Sequence, residues 1–336
     1  MPQQARIGHS TIEDVARRAG VAPATVSRAL RTPEKVQEET RKRIAAAIEA
    51  EGYVPNLLAG GLASKRSNVV AALVPNMGNP LFALTLRGFS DVLRENGFYL
   101  MVGNSAHSQE EEEQLVKAFI SQRPCGILLH ETVHNQAARR FLRRAAIPIV
   151  EVGDLVEEPM DVVVSFSNYE AAKSLTKHVV SRGYRRISLV TSSLSARSPE
   201  RRRGYVDALA ECGLPLHPEI IHDTISDFHG GVVAITALLE THPEVDAVIF
   251  TGNAAAVGAL FECQRRGWAV PDRIAIACFD DNDVVQHTNP PLTAVRIPRY
   301  EIGVRAAEVL LALVGGREIA ERRIDLGFEI IERASI

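Results

Sequence analysis

The chain has 336 residues, enough for two or three compact units. At 46% hydrophobic and 24% charged residues it has the composition of a water-soluble globular protein, and no run of about 18 apolar residues is present to cross a membrane. The formal net charge is −3, but residues 1–66 hold 11 Lys and Arg against 7 Asp and Glu, while the remainder holds 27 against 34. A basic head on an acidic body suits a protein that offers one end to a polyanion. The N-terminus is polar and lacks the apolar stretch of a secretory signal. Cys125, Cys212, Cys263 and Cys278 stand far apart, without metal-ligand spacing, and read as reduced thiols of a cytoplasmic protein.

In chain order, Thr11 followed by Asp14 reads as a capping box that opens a helix, with Ile12, Val15, Ala16 and Ala19 on its inner face. Gly20-Val21 ends it in a tight turn, and Pro23 suits the first position of a second helix. Val26 and Leu30 of that helix should face the first, leaving Ala24, Thr25, Arg28 and Arg31 outward. Two short helices crossing at a glycine turn form a helix-turn-helix, which lays its second helix in a DNA major groove; the alternative is an ordinary helical hairpin. Residues 36–56 supply a third helix, with Thr40, Ile44, Ala47 and Ile48 inward and Gly52 as its stop.

The order I-E-D-V-A (12–16), A-G-V (19–21), T-V-S-R (25–28), Thr40-Arg41 and G-Y-V-P-N (52–56) resembles the DNA-binding headpiece of the LacI/GalR family of bacterial transcription regulators. The resemblance implies that Thr11, Pro23, Ala24, Thr25, Ser27, Arg28, Tyr53 and Asn56 meet double-stranded operator DNA. Arg28 is the candidate for base readout, because arginine bonds guanine O6 and N7 together. Pro23 and Ala24 occupy the family's main specificity positions but offer only apolar contact. Thr25, Ser27 and Asn56 suit phosphates. Residues 57–68 then correspond to a hinge whose helix forms on DNA, with Leu62 as the minor-groove wedge. Gly60 and Gly61, each costing about 1 kcal/mol in a helix, weaken that expectation, as does Leu57 where a polar or basic residue is expected.

From Val69 onward apolar strands alternate with helices: strands at 69–75, 98–103, 126–129 and 148–152, with helices at 80–96, 109–122 and 135–145 between them. A second series follows, with helices 168–182, 199–212, 230–241 and 253–266 and strands 186–191, near 220, 246–251 and 273–279. Two doubly wound parallel sheets are expected, with ligand in a cleft outside the carboxyl ends of the strands. The resemblance implies the type I periplasmic-binding-protein-like fold, an α/β body of two lobes behind the all-α headpiece of residues 1–56. The first lobe would comprise 69–166 and 296–323 and the second 167–295 and 324–336, with crossings near Phe166, Val295 and Arg323. Helix 300–314 would return to the first lobe.

Three constellations bear on chemistry. His130-Glu131-Thr132-Val133-His134 is formally H-E-x-x-H, but zinc catalysis needs both histidines on one helix, and here the motif begins at a strand end. No metal, cofactor or catalytic residue is therefore expected; the strand end instead puts Glu131 at the cleft mouth. In R-R-R-G-Y (201–205), Arg201 lies four residues before Tyr205 and so on the buried side of its helix, where its charge needs an anion or a strong acceptor. It matches the family's effector-contacting arginine; the alternative is a structural pair with Asp280 or Glu131. Asp280, in F-D-D-N-D (279–283), enters the cleft at a strand end and matches a position that binds ligand hydroxyls or ring nitrogens. Asn253, Asn76, Phe82, Phe166 and Asn168 match further pocket positions, although either phenylalanine could be core. Ala254 departs from the family's frequent aspartate.

Within the family, P-E-x-V (33–36), F-x-N-x-E-A-A (166–172), A-V-G-A-x-F-E-C-Q-R-x-G (256–267) and D-L-G-F (325–328) are most similar to gluconate-operon repressors. The expectation is a cytoplasmic homodimeric repressor, not an enzyme and not membrane-bound, controlled by a sugar acid such as gluconate. A neutral sugar or purine effector is the alternative. A transport-type sugar-binding protein would share the lobes but not the headpiece.

Overall fold

The computed structural model describes residues 10–54 and 67–336, which form two compact units divided after Ser67. The linker with Asn56, Gly60, Gly61 and Leu62 lies outside the described residues.

The described residues of the first unit form three α-helices, α1 (Ile12–Ala19), α2 (Pro23–Arg31) and α3 (Glu38–Glu51). The capping box is present: Thr11 Oγ1 accepts from the Asp14 N–H while the Thr11 N–H donates to the Asp14 carboxylate at 3.0 Å. Gly20 and Gly52 end α1 and α3 in the left-handed conformation, at φ +67° and +59°. Val15, Ala16, Ala19, Val26, Ile44 and Ala47 form the core. Leu30 corrects the expectation: it is 40% exposed, and Ala29 packs against the core in its place. A nine-residue helix turns only a narrow stripe inward, and Val26 and Ala29 occupy it.

The second unit opens with β1 (Val69–Val74), α4 (Pro80–Glu95), β2 (Tyr99–Asn104), α5 (Gln109–Ser121), β3 (Gly126–Leu129), α6 (Gln136–Ala145), β4 (Ile149–Glu151) and β5 (Val162–Ser165). Then come α7 (Asn168–Ser181), β6 (Ile187–Thr191), α8 (Ser198–Glu211), β7 (Ile221–Asp223), α9 (Phe228–Thr241), β8 (Ala247–Phe250), α10 (Asn253–Arg266), β9 (Ala275–Phe279) and α11 (Asp283–Gln286). The unit closes with β10 (Thr293–Arg296), α12 (Arg299–Val314), β11 (Arg323–Asp325) and β12 (Glu329–Ile331). Two six-stranded sheets result, in the orders β11-β5-β4-β3-β1-β2 and β12-β10-β9-β8-β6-β7. All pairings are parallel except β10 with β12. The central strands are buried along their whole length, as a sheet covered by helices on both faces requires.

Strands β5, β10 and β11 were not read from the sequence, and they move the lobe boundaries. Arg323, Ile324 and Asp325 pair with Val163, Val164 and Ser165, so the first lobe runs to Asp325 rather than Arg323. Arg296 stays in the second sheet, opposite Glu329. The chain therefore crosses at 166–167, 297–298 and 326–328, and buried Ile324 is what holds the last segment to the first sheet.

Candidate functional site

The carboxyl ends of β1, β8 and β9 and the start of α12 surround a cavity of about 560 Å³ between the two lobes. Of the residues expected there, Asn76, Phe82, Arg201, Asn253 and Asp280 line it.

Arg201 sits in the first turn of α8 and is almost wholly buried. Its Nε donates to Asn168 Oδ1 at 2.8 Å, its Nη1 donates to the Thr251 carbonyl, and its guanidinium lies 4.0 Å over the Phe279 ring. Gly204 permits this placement, since an added Cβ would meet the Tyr169 carbonyl oxygen at 2.2 Å and push α8 off α7. Neither partner of Arg201 is a carboxylate. Burial, reinforced by the nearby charges of Arg197 and Arg299 and only partly offset by Asp280 and Asp154, pulls its pKa down to about 9. No carboxylate of the described residues hydrogen-bonds this cation, which leaves it poised for an anion.

Asp280 does not pair with Arg201. Its Oδ1 accepts from Arg299 Nε and Nη2, at 2.9 and 2.6 Å, and Oδ2 takes no hydrogen bond from the described residues. Asp280 adopts φ +71°, held by its N–H to the Val295 carbonyl and by Asn253 Nδ2 donating to its own carbonyl at 3.2 Å. Asn253 thus lines the cavity and also fixes the aspartate. Asn76 is exposed and accepts from the Gly78 N–H. Phe82 meets the buried His130 edge to face at 4.5 Å.

Three expected residues lie elsewhere. Phe166 is fully buried, 5.7 Å below the Arg299 guanidinium, so it supports that arginine instead of stacking on a ligand. Asn168 is also fully buried; it donates to Gly153 and Asp154 and presents Oδ1 to Arg201, orienting that side chain from behind. Glu131 lines a neighbouring hollow rather than this cavity, 3.7 Å from Arg197.

Arg197 and Arg299, which the sequence reading missed, complete the charged wall. Arg197 precedes α8, one turn before Arg201, and reaches from the second lobe over Phe82 of the first, at 5.4 Å. Gly153, at φ +115°, leaves room for it: a Cβ there would stand 3.2 Å from Arg197 Nη1 and 2.7 Å from the His130 carbonyl oxygen. The R-x-x-x-R spacing of 197–201 was the available signal.

The H-E-x-x-H segment is irregular and not helical. His134 bonds through Nδ1 to Glu112 and through Nε2 to Glu151 at 3.3 Å. Burial alone would depress its pKa, but the hydrogen bonds to Glu112 and Glu151, with their charges, lift it to about 9, so it is a structural cation. Burial, then Arg197 and Arg299, hold His130 well below the ordinary histidine range. Among the described residues no group of three or more His, Cys, Asp or Glu side chains could hold a metal, and no helix is long and apolar enough to cross a membrane.

In the first unit Pro23, Ala24 and Arg28 are exposed along α2, with Thr25 and Ser27 half-buried beside them. Thr11 is spent on its cap, and Tyr53 packs against the headpiece core.

Residues 11–56 match the family model "Bacterial regulatory proteins, lacI family", and residues 176–336 match "Periplasmic binding protein-like domain". The chain is 39% identical over 330 residues to the HTH-type transcriptional regulator GntR of Pseudomonas aeruginosa, covering 98% of this chain and 96% of that one. It is 35% identical over 325 residues to the GntR of Escherichia coli K12, covering 97% and 98%. The crystal structure of a LacI family transcriptional regulator from Silicibacter pomeroyi superposes with a TM-score of 0.89 at 31% identity, covering 97% of this chain and 99% of that one. These relatives are transcriptional regulators, not enzymes, and the chain belongs with them to the LacI family of bacterial regulatory proteins.

Proposed function

We propose that this repressor answers to gluconate or a related sugar acid held between its lobes, and that it reads a near-palindromic operator as a homodimer in the cytoplasm. The observation that carries the effector reading is Arg201, a buried guanidinium in the cavity wall with no carboxylate partner. A ligand carboxylate would supply the missing counter-charge through the planar fork that arginine offers. Asp280 Oδ2, Asn253 and Asn76 suit the hydroxyls, and Phe82 suits the carbon chain. Arg28 is proposed to read a guanine, with Pro23 and Ala24 against base methyls, Thr25, Ser27 and Asn56 on the backbone, and Leu62 at the operator centre. Thr11 and Tyr53 support that surface. Asn168 and Phe166 act through Arg201 and Arg299.

The effector changes the balance between lobe arrangements, and the operator feels that change by linkage of about 1–3 kcal/mol. Titration calorimetry with gluconate, glucose and a purine nucleoside tests the reading. Heat from gluconate alone is expected; binding of glucose or the nucleoside in its place overturns the sugar-acid assignment.

A further inference from the structure

We infer that the cleft contains a second subsite, beside the arginine-lined cavity, that takes the uncharged, hydroxyl-bearing part of a ligand larger than a six-carbon acid. A sugar ring joined by a glycosidic bond to an aldonic acid has this chemistry. The inference rests on the sugar-acid reading of the inner cavity.

The hollow that holds Glu131 measures about 590 Å³ and lies at the carboxyl ends of β2, β3, β6 and β7, between the same two lobes. It adjoins the inner cavity: His107, Leu194 and Ser195 line both. Arg197 and Glu131, 3.7 Å apart, stand on the two sides of the junction. Each chamber alone falls in the range of about 300–1,000 Å³ that encloses a drug-sized ligand, so the pair has room for two sugar-sized units.

The two chambers differ in charge. Arg197, Arg201 and Arg299 all belong to the inner one. The outer wall carries Glu131, Asp223 and Glu112, the last already joined to His134, with Arg202 as its one arginine among the described residues. Such a wall disfavours a second carboxylate and offers acceptors to hydroxyl donors. A ligand with an acid at one end and hydroxyls at the other would enter in one orientation.

Orphaned polar atoms point to an occupant. Thr191, at the end of β6, is 3% exposed, and its Oγ1 has no hydrogen-bond partner among the described residues. Glu131 Oε1 accepts no hydrogen bond from the described residues either, its ion-pair contact with Arg197 Nη1 being 3.7 Å long. Buried groups left in this way are costly, and ligand hydroxyls would satisfy both. Ser105, Ser193 and Ser198 bring further hydroxyl side chains to the wall. No Phe, Tyr or Trp lines the chamber among the described residues, and His107, shared with the inner cavity, brings its one aromatic ring. Val133, Ala196 and Pro199 provide the flat apolar contact that a sugar ring accepts.

Calorimetry on the full chain should compare gluconate with lactobionate or maltobionate, in which a hexose is linked to gluconate. The hexose-bearing acid is expected to bind at least about tenfold more tightly. Thr191→Val with Asp223→Asn should erase most of that advantage and leave gluconate affinity unchanged, which also shows that the variant is folded. Gluconate binding as tightly as either hexose-bearing acid, or a variant that weakens all ligands alike, would overturn the second subsite. If none of the acids binds, the sugar-acid reading of the inner cavity falls first and this inference with it.

Discussion

Arg299 and Asp280 tie the two lobes together beside the cavity: the first residue of the helix that returns to the first lobe donates twice to a carboxylate oxygen at the end of β9 in the second. Both side chains are more than nine-tenths buried. Removing one member strands the other charge, which costs about 3–5 kcal/mol in buried pairs. Asp280→Ala should therefore lower the urea midpoint of the body strongly, and adding Arg299→Met should restore much of the loss. Additive losses in the double variant would show that the pair is not coupled.

Arg201→Gln is expected to abolish binding of an acid effector while operator affinity stays near that of the parent chain. Glutamine keeps a donor toward Asn168 but removes the charge. Calorimetry measures the first effect and a gel shift the second; undiminished gluconate heat would place the carboxylate on Arg197 or Arg299 instead.

His134 makes stability depend on alkaline pH. Its pKa in the folded chain, about 9, lies above its ordinary value of 6.5, so the triad with Glu112 and Glu151 contributes fully below about 6.5 and fades as pH rises through 9. At about 1.4 kcal/mol per unit, the contribution is on the order of 3 kcal/mol. Chemical denaturation between pH 6 and 10 should show this decline, and His134→Gln should flatten it.

Arg28→Ala should weaken operator binding by about 1–3 kcal/mol and relax base preference at one position of each half-site. Gel shifts on an operator panel report both quantities. A uniform loss across all sequences would assign Arg28 to the phosphates.

Ile44→Ala removes the largest fully buried side chain of the headpiece, at a cost of about 2–5 kcal/mol to a very small core. Operator binding should disappear while the body still binds effector and melts as before. Two separate transitions in calorimetric melting would show the independence of the units directly.

Much of this was legible because it is local. The capping box at Thr11, the left-handed stops at Gly20 and Gly52 and the alternation of apolar strands with helices each depend on residues within a few positions of one another. Leu30 was misplaced because helical spacing does not say how wide a stripe the third helix covers. Strands β5, β10 and β11 depend on distant partners, Arg323–Asp325 pairing with residues 163–165 and residues 293–295 with 277–279.

By itself the sequence determined the headpiece, the two-lobed plan and the inward turn of Arg201, since each follows from short-range spacing and the chemistry of single residues. Tertiary structure alone decided which charges meet. Asp280 could have served Arg201 or Glu131 could have done so, yet the return of α12 across the lobes gives Asp280 to Arg299, and the start of α8 gives Glu131 to Arg197. Arg201 is left without a carboxylate hydrogen bond among the described residues because partners 19 and 66 positions apart are chosen by the packing of whole elements, which no local pattern encodes.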